Sequence, residues 1–207
     1  MCRAVLPASL TMMPELTLRE RRPEDLPIQW HWEHEQPRPA WKLWDAPYFH
    51  EPSQPSTLGL AEYCAKMNEQ GSEGLRIIAL DDRCIGEISR FQEKPRDSGW
   101  WEIGVLIYDP AHWGGGFGRQ ALRLWTDATF AETDAHLITL TTWSGNERMV
   151  RAAQRAGYRE CARIPEARLW QGQRWDSVKL GILRREWENG RHEHVPTPTE
   201  HPPRTAR

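Results

Sequence analysis

The 207-residue sequence contains no apolar run near the roughly 20 residues that a membrane-crossing helix needs, so a spanning protein is not expected. Its opening, Met1-Cys2-Arg3 to Leu10, is too short and too weakly charged for a signal peptide, and a cytoplasmic location is the expectation. No excess of one charge is present either. Lys+Arg number 27 against 29 Asp+Glu, for a formal net charge of -2, and no basic stripe offers to neutralise phosphates. Nucleic acid and anionic membrane are thereby excluded as expected partners. Cysteine is scarce at four, Cys2, Cys64, Cys84 and Cys161, with no Cys-x-x-Cys pair. Neither a disulfide framework nor a thiolate zinc site is implied. Internal repeats are missing as well.

Tryptophan, by contrast, is abundant at 12 residues. Trp30, Trp32, Trp41, Trp44 and Trp113 lie in stretches that do not read as simple core elements, and they are candidates to line a pocket. The length suits one well-buried domain, expected over 15–187. Before it, 1–14 reads as a flexible extension; after it, 188–207 is Pro-, His- and Arg-rich and reads as a disordered tail.

Arg22-Pro23-Glu24-Asp25 reads as a helix start, and Pro37, Pro39 and Pro47 break the next stretch into short helices and loops. Leu58 to Asn68 predicts a further helix. Arg76 to Leu80 and Cys84 to Phe91 flank Asp81-Asp82-Arg83 as a hairpin, and Trp100 to Tyr108 makes a third strand stopped by Asp109-Pro110. Phe117, Ala121, Leu124, Trp125 and Ala128 form one helical stripe. His136 to Thr142 is a strand, Met149, Val150, Ala153 and Ala156 a second helical stripe closed by Gly157. Tyr158 to Ile164 and Arg174 to Leu183 complete the chain around Gln171-Gly172. The strand-helix-strand passage implies a right-handed parallel crossover, hence an α/β fold on a mixed sheet.

Trp113-Gly114-Gly115-Gly116-Phe117-Gly118-Arg119 stands between a strand end and a helix start. Glycines there let main-chain N–H groups approach a ligand, and the helix adds a positive end, so a diphosphate would be held by backbone. A P-loop would need Gly-Lys followed by Ser or Thr, whereas Gly118 precedes Arg119-Gln120. A dinucleotide fingerprint fits Gly116-x-Gly118-x-x-Ala121 but normally opens a parallel unit instead of following a meander. A tight turn without a ligand is the plainer structural alternative.

With Ile107-Tyr108-Asp109-Pro110 before the turn, Gly114-x-Gly116-x-Gly118 within it, and Asn146 to Gly157-Tyr158 beyond, the sequence from Leu75 to Trp187 resembles the GNAT superfamily of N-acetyltransferases. Trp113 stands where members carry Gln or Arg. Gly172 to Asp176, Leu180-Gly181-Ile182-Leu183 and Glu186-Trp187 are similar to the ribosomal-protein and spermidine subgroup. The resemblance implies a mixed, mostly antiparallel central sheet with flanking helices and a parallel, splayed strand pair at the cofactor. It also implies acetyl-CoA as cosubstrate and an amine, small or at a protein N-terminus, as acceptor, with a homodimer as the assembly. Backbone at Leu106, Ile107 and Tyr108 would pair with the pantetheine arm, Gly114 to Arg119 would hold the pyrophosphate, and Asn146 would touch the arm or cap the next helix.

Acetyl transfer needs a neutral amine, and with an amine pKa near 10 only about one molecule in a thousand is neutral at pH 7. Glu102, in the strand feeding the turn, is the first candidate base as an isolated carboxylate, with Glu87 second; pairing of Glu102 with Arg90 is the structural alternative. Relatives that place a glutamate five residues before the asparagine differ from this chain, which has Thr141. Others place a Tyr or Ser acid on the following helix, where Met149 and Ala153 stand. Direct attack in a ternary complex is the expected mechanism, water protonating the thiolate. A non-catalytic acyl-CoA sensor and a nicotinamide enzyme are the rivals. Glu33, Glu35, Asp45 or Glu51 among the tryptophans would suit a cationic acceptor. His31 and His34 lie one helical turn apart without a second ligand pair, so no metal is expected.

Overall fold

Alternating and β-branched runs fold as the strands they predict, and the computed structural model describes residues 14–49 and 58–192. Among these, seven strands form one sheet in the order β1-β2-β3-β4-β5-β7-β6. They are β1 (Leu16–Arg19), β2 (Leu75–Leu80), β3 (Arg83–Gln92), β4 (Trp100–Ile107), β5 (Leu137–Trp143), β6 (Arg159–Trp170) and β7 (Gln173–Leu183). The helices are α1 (Leu26–Trp30), α2 (Leu60–Gln70), α3 (Phe117–Glu132), α4 (Glu147–Ala156) and α5 (Arg184–His192). The sheet is mixed and mostly antiparallel, with β4 and β5 its parallel pair. Although the length suits one domain, the chain divides into two compact units, Met1–Ser89 with Gly104–Trp125 and Arg90–Ile103 with Thr126–Arg207.

In the first unit, β2 and β3 meet at Leu80↔Arg83 across Asp81 and Asp82, whose φ values of 48 and 65 are the left-handed pair of a tight hairpin turn. Strand β1, which the sequence pattern does not reveal, pairs antiparallel with β2; four residues are too few to show a period against an irregular N-terminal stretch. After α1 the chain closes one wide π turn over His31–Glu35, with Gln36 N–H donating to the His31 carbonyl, before Pro37 and Pro39 end it. Carbonyls left open there are taken up by a 3-10 turn, Ala40–Leu43: Trp41 Nε1 donates to Trp32 O at 3.1 Å and Lys42 Nζ to Glu33 O at 3.1 Å. Trp41, Ile77, Ala79, Cys84 and Tyr108 make a core cluster against which Ile28, Trp32, Leu106 and Trp113 pack.

In the second unit, β5 runs antiparallel to β7 from Leu137↔Leu183 to Trp143↔Ser177, and parallel to β4 from Trp100↔Leu137 to Glu102↔Thr139. Gly157, with φ 113, ends α4 in the left-handed conformation that favours glycine. The stripe on α3 is shifted from the one the spacing predicts: Ala121, Leu122, Trp125, Thr126 and Thr129 are buried while Leu124 is 38% exposed. Threonines can take those places because Thr126 Oγ1 bonds the Tyr158 hydroxyl at 2.5 Å and Thr129 Oγ1 accepts from Arg90. Helix α5 includes the first five residues of the expected tail, and 193–207, like 1–13 of the expected extension, lie outside the described residues.

Candidate active site

Asp109 ends the β4 run by accepting the Ala111 N–H at 2.8 Å, which opens a 3-10 turn over Pro110–His112. Trp113 then folds back, its indole Nε1 donating to the Ile107 carbonyl at 3.0 Å. Gly114 and Gly116 have φ of 82 and 86, so both need glycine, and a Cβ at either would meet no atom within 4 Å. The first α3 hydrogen bond is Gln120 N–H to Gly116 O, which leaves the preceding amides of the turn at a helix mouth. Left-handed glycines beside a helix start make a concave anion cradle of main-chain N–H groups. Upstream, Tyr108 N–H donates to Ile85 O at 3.0 Å, and a Cβ on Gly86 would lie 2.1 Å from the Leu106 carbonyl oxygen. That close backbone approach fixes the end of β4.

Next to this turn the first unit holds two carboxylates that sequence order keeps far apart. Tyr108 Oη lies 3.1 Å from Glu87 Oε2 and 3.4 Å from Glu33 Oε1. Gln29 Nε2 donates to Glu87 Oε2 at 2.7 Å, and the Tyr63 hydroxyl donates to Glu33 Oε2 at 3.2 Å. Burial, reinforced by the charge of Glu87, pushes Glu33 up to about 7, and burial raises Glu87 as well. Burial and the two carboxylates push the Tyr108 phenol well above its usual 10. Glu87 is the second of the two sequence candidates for the base. Glu33 stands out in the sequence only as a cation partner, and the signal for its larger part is the wide turn that aims it inward.

Glu102 is not the isolated carboxylate expected. Thr141 Oγ1 donates to its Oε1 at 2.5 Å, Thr139 Oγ1 donates to Oε2, and Lys179 Nζ lies 2.9 Å from Oε2. Arg90, the partner in the structural alternative, bonds Glu132 at 2.5 Å and Thr129. Strand order explains the crowding of Glu102: β5 and β7 bring threonines and a lysine to one face of β4.

A family model, "Acetyltransferase (GNAT) domain", matches residues 15–159. The chain belongs to the GNAT acetyltransferase family. As a GNAT enzyme it is an acetyl-CoA-dependent N-acetyltransferase, with acetyl-CoA as cosubstrate and an amine as acceptor. Its fold is shared with spermidine N-acetyltransferase from Vibrio cholerae in complex with CoA and spermine, at a TM-score of 0.65 and 21% identity, over 84% of this chain and 98% of that one. The aminoglycoside acetyltransferase AAC(6')-Ib in complex with coenzyme A gives 0.63 and 18%, over 86% and 99%.

Within the GNAT fold, Asn146 caps α4, its side chain accepting the Met149 N–H at 3.2 Å. The tryptophans split: Trp41 is core, Trp32 stacks on Tyr108 at 6.5 Å, and Trp30 Nε1 donates to Leu58 O. His31 turns to Glu35 at 2.5 Å while His34 meets the Tyr63 ring edge-on, so the two imidazoles serve different neighbours. Glu51 lies outside the described residues. No helix among the described residues is long and apolar enough to cross a membrane.

Proposed function

We infer that the enzyme acetylates a primary amine by direct attack within a ternary complex, with Glu33, backed by Glu87, taking the proton that the amine must lose. The observation that carries this reading is the carboxylate pair, because a base pushed up to about 7 suits proton transfer at neutral pH. Ionised, it accepts a proton from an ammonium; protonated, it needs only a modest pH rise to be restored. Glu102, held by Lys179 and two threonines, is better suited to position β4.

The amides of Gly114, Gly115, Gly116, Phe117, Gly118 and Arg119 would hold the coenzyme's diphosphate, with Trp113 anchoring the turn. Main chain at Leu106 and Ile107 would serve the pantetheine arm; the Tyr108 N–H is already given to Ile85. Negative charge at Glu33 and Glu87 favours a cationic acceptor, and polyamines and aminoglycosides are the first compounds to try.

Titration with acetyl-CoA and thiol release across spermidine, an aminoglycoside and an N-terminal peptide test this reading. Wild type should accelerate with at least one amine, and Glu33→Gln should lose about 10²–10⁴-fold in turnover while binding acetyl-CoA as before. Tight acetyl-CoA binding with no amine-dependent release would instead support the sensor.

A further inference from the structure

Tyr108 follows the last residue of β4 and is fully enclosed, at 0% exposure. Trp32 stacks parallel to its ring and Trp41 meets it edge-on at 6.4 Å, so the phenol has one direction in which to point. Its oxygen therefore stands between Glu33 and Glu87. A hydroxyl has one proton to give and lone pairs with which to accept, so it donates to whichever carboxylate is ionised and accepts from whichever holds a proton. Gln29 supplies a second observation: its Oε1 is buried with no hydrogen-bond partner, although its Nε2 reaches Glu87. Turning that amide over presents the spare acceptor to a protonated Glu87.

We propose that Tyr108 conducts a proton between Glu33 and Glu87, making the two carboxylates one base with two ends. This rests on Glu33 being the base. The Glu33 side chain is 27% exposed and is the end that meets an incoming amine. After it has taken the amine's proton, its O–H bond breaks as a new one forms to the phenol oxygen. The phenol's original O–H bond breaks in the same motion as that proton joins Glu87 Oε2. The phenol begins and ends neutral, and the negative charge passes from Glu87 to Glu33, which is again ready to accept. No phenolate is formed, in keeping with the raised phenol.

Tyr63 and Gln29 donate to the carboxylate pair, and His34 Nε2 lies 3.8 Å from Glu33 Oε2. Lys42 acts on Glu33, Arg21 and Asp45 act on Glu87, and Cys84 acts on Tyr108 through their charges.

Tyr108 is on this view a positioning residue, and the test is a proton inventory. Turnover at saturating acetyl-CoA is measured in H2O/D2O mixtures for wild type and Tyr108→Phe. Wild type should give a bowed plot, with two protons in flight, and Tyr108→Phe a straight one with kcat down about tenfold or more and the KM for acetyl-CoA unchanged. The acidic limb of the rate profile should also move to higher pH, since a donor to both carboxylates is gone. A variant that keeps the bowed plot and the wild-type kcat overturns the proposal. Should Tyr108→Phe fail to fold, Glu87→Gln gives the same decision: a straight plot supports the conduit, and a bowed one refutes it. Full turnover in Glu33→Gln refutes the base itself, and the conduit with it.

Discussion

Glu102 in the second unit and the Glu33–Glu87 pair in the first are both carboxylates withdrawn from water, yet their surroundings differ in kind. Around Glu102 stand a lysine ammonium at 2.9 Å and two threonine hydroxyls. In hydrogen-bond contact with Glu33 and Glu87 stand two phenols and an amide, while the charges of Lys42 and Arg21 act on them without a hydrogen bond to either carboxylate. A full opposite charge in contact compensates a buried anion where it sits, whereas contact with dipoles leaves it readier to accept a proton. The lesson is that burial marks a carboxylate as unusual but the partner decides whether it is a strut or a base.

The sharpest break between the two sites is kinetic. Glu33→Gln should lower kcat/KM by about 10²–10⁴-fold with little change in melting temperature, and Glu102→Gln should do the reverse; equal rate losses in thiol-release assays would erase the distinction.

Stability gives the next contrast. Lys179→Met leaves Glu102 without its cation and should cost about 2–3 kcal/mol in urea unfolding, the 26% exposure of Lys179 keeping this below a fully buried case. Adding Glu102→Gln should restore part of that loss.

A third contrast lies in pH. Glu33 is raised from 4.5 to about 7, so the folded chain keeps a proton that the unfolded chain releases. Its contribution to stability is full below about 4.5 and is lost as pH climbs through about 7. Denaturation midpoints across that window should fall less in Glu33→Gln than in wild type, while activity rises through about 7 as the base ionises.

The smallest contrast compares two lost hydroxyls. Tyr63→Phe removes a donor to Glu33 and should move the acidic limb up by roughly a few tenths of a unit. Thr141→Val removes a donor to Glu102 and should cost about 1 kcal/mol with the limb unmoved.

The hairpin at Asp81-Asp82, the glycine turn before α3 and the Gly157 stop after α4 are legible in the sequence because each depends on neighbours along the chain. The two carboxylate sites are not, for the same reason reversed. Glu33 and Tyr108 are 75 residues apart, and Glu102 and Lys179 are 77 apart. Their meeting follows from strand order and from one π turn, neither of which a local pattern encodes. Glu102 stands out in the sequence as a lone acid in an apolar strand, and nothing local tells which strand will lie beside it. The four-residue β1 escapes because a period of two needs more than four residues to stand out.

Gly86 joins the end of β4 to the carboxylate pair. Its bare Cα lets the Leu106 carbonyl come to where a methyl would be, and the residue after it is Glu87. One absent methyl group thus fixes both where the end of β4 lies and where the Glu87 carboxylate is held. A chain that acquired alanine there would have to move both at once, so that, under the function proposed above, position 86 would be a joint between holding the donor and readying the acceptor.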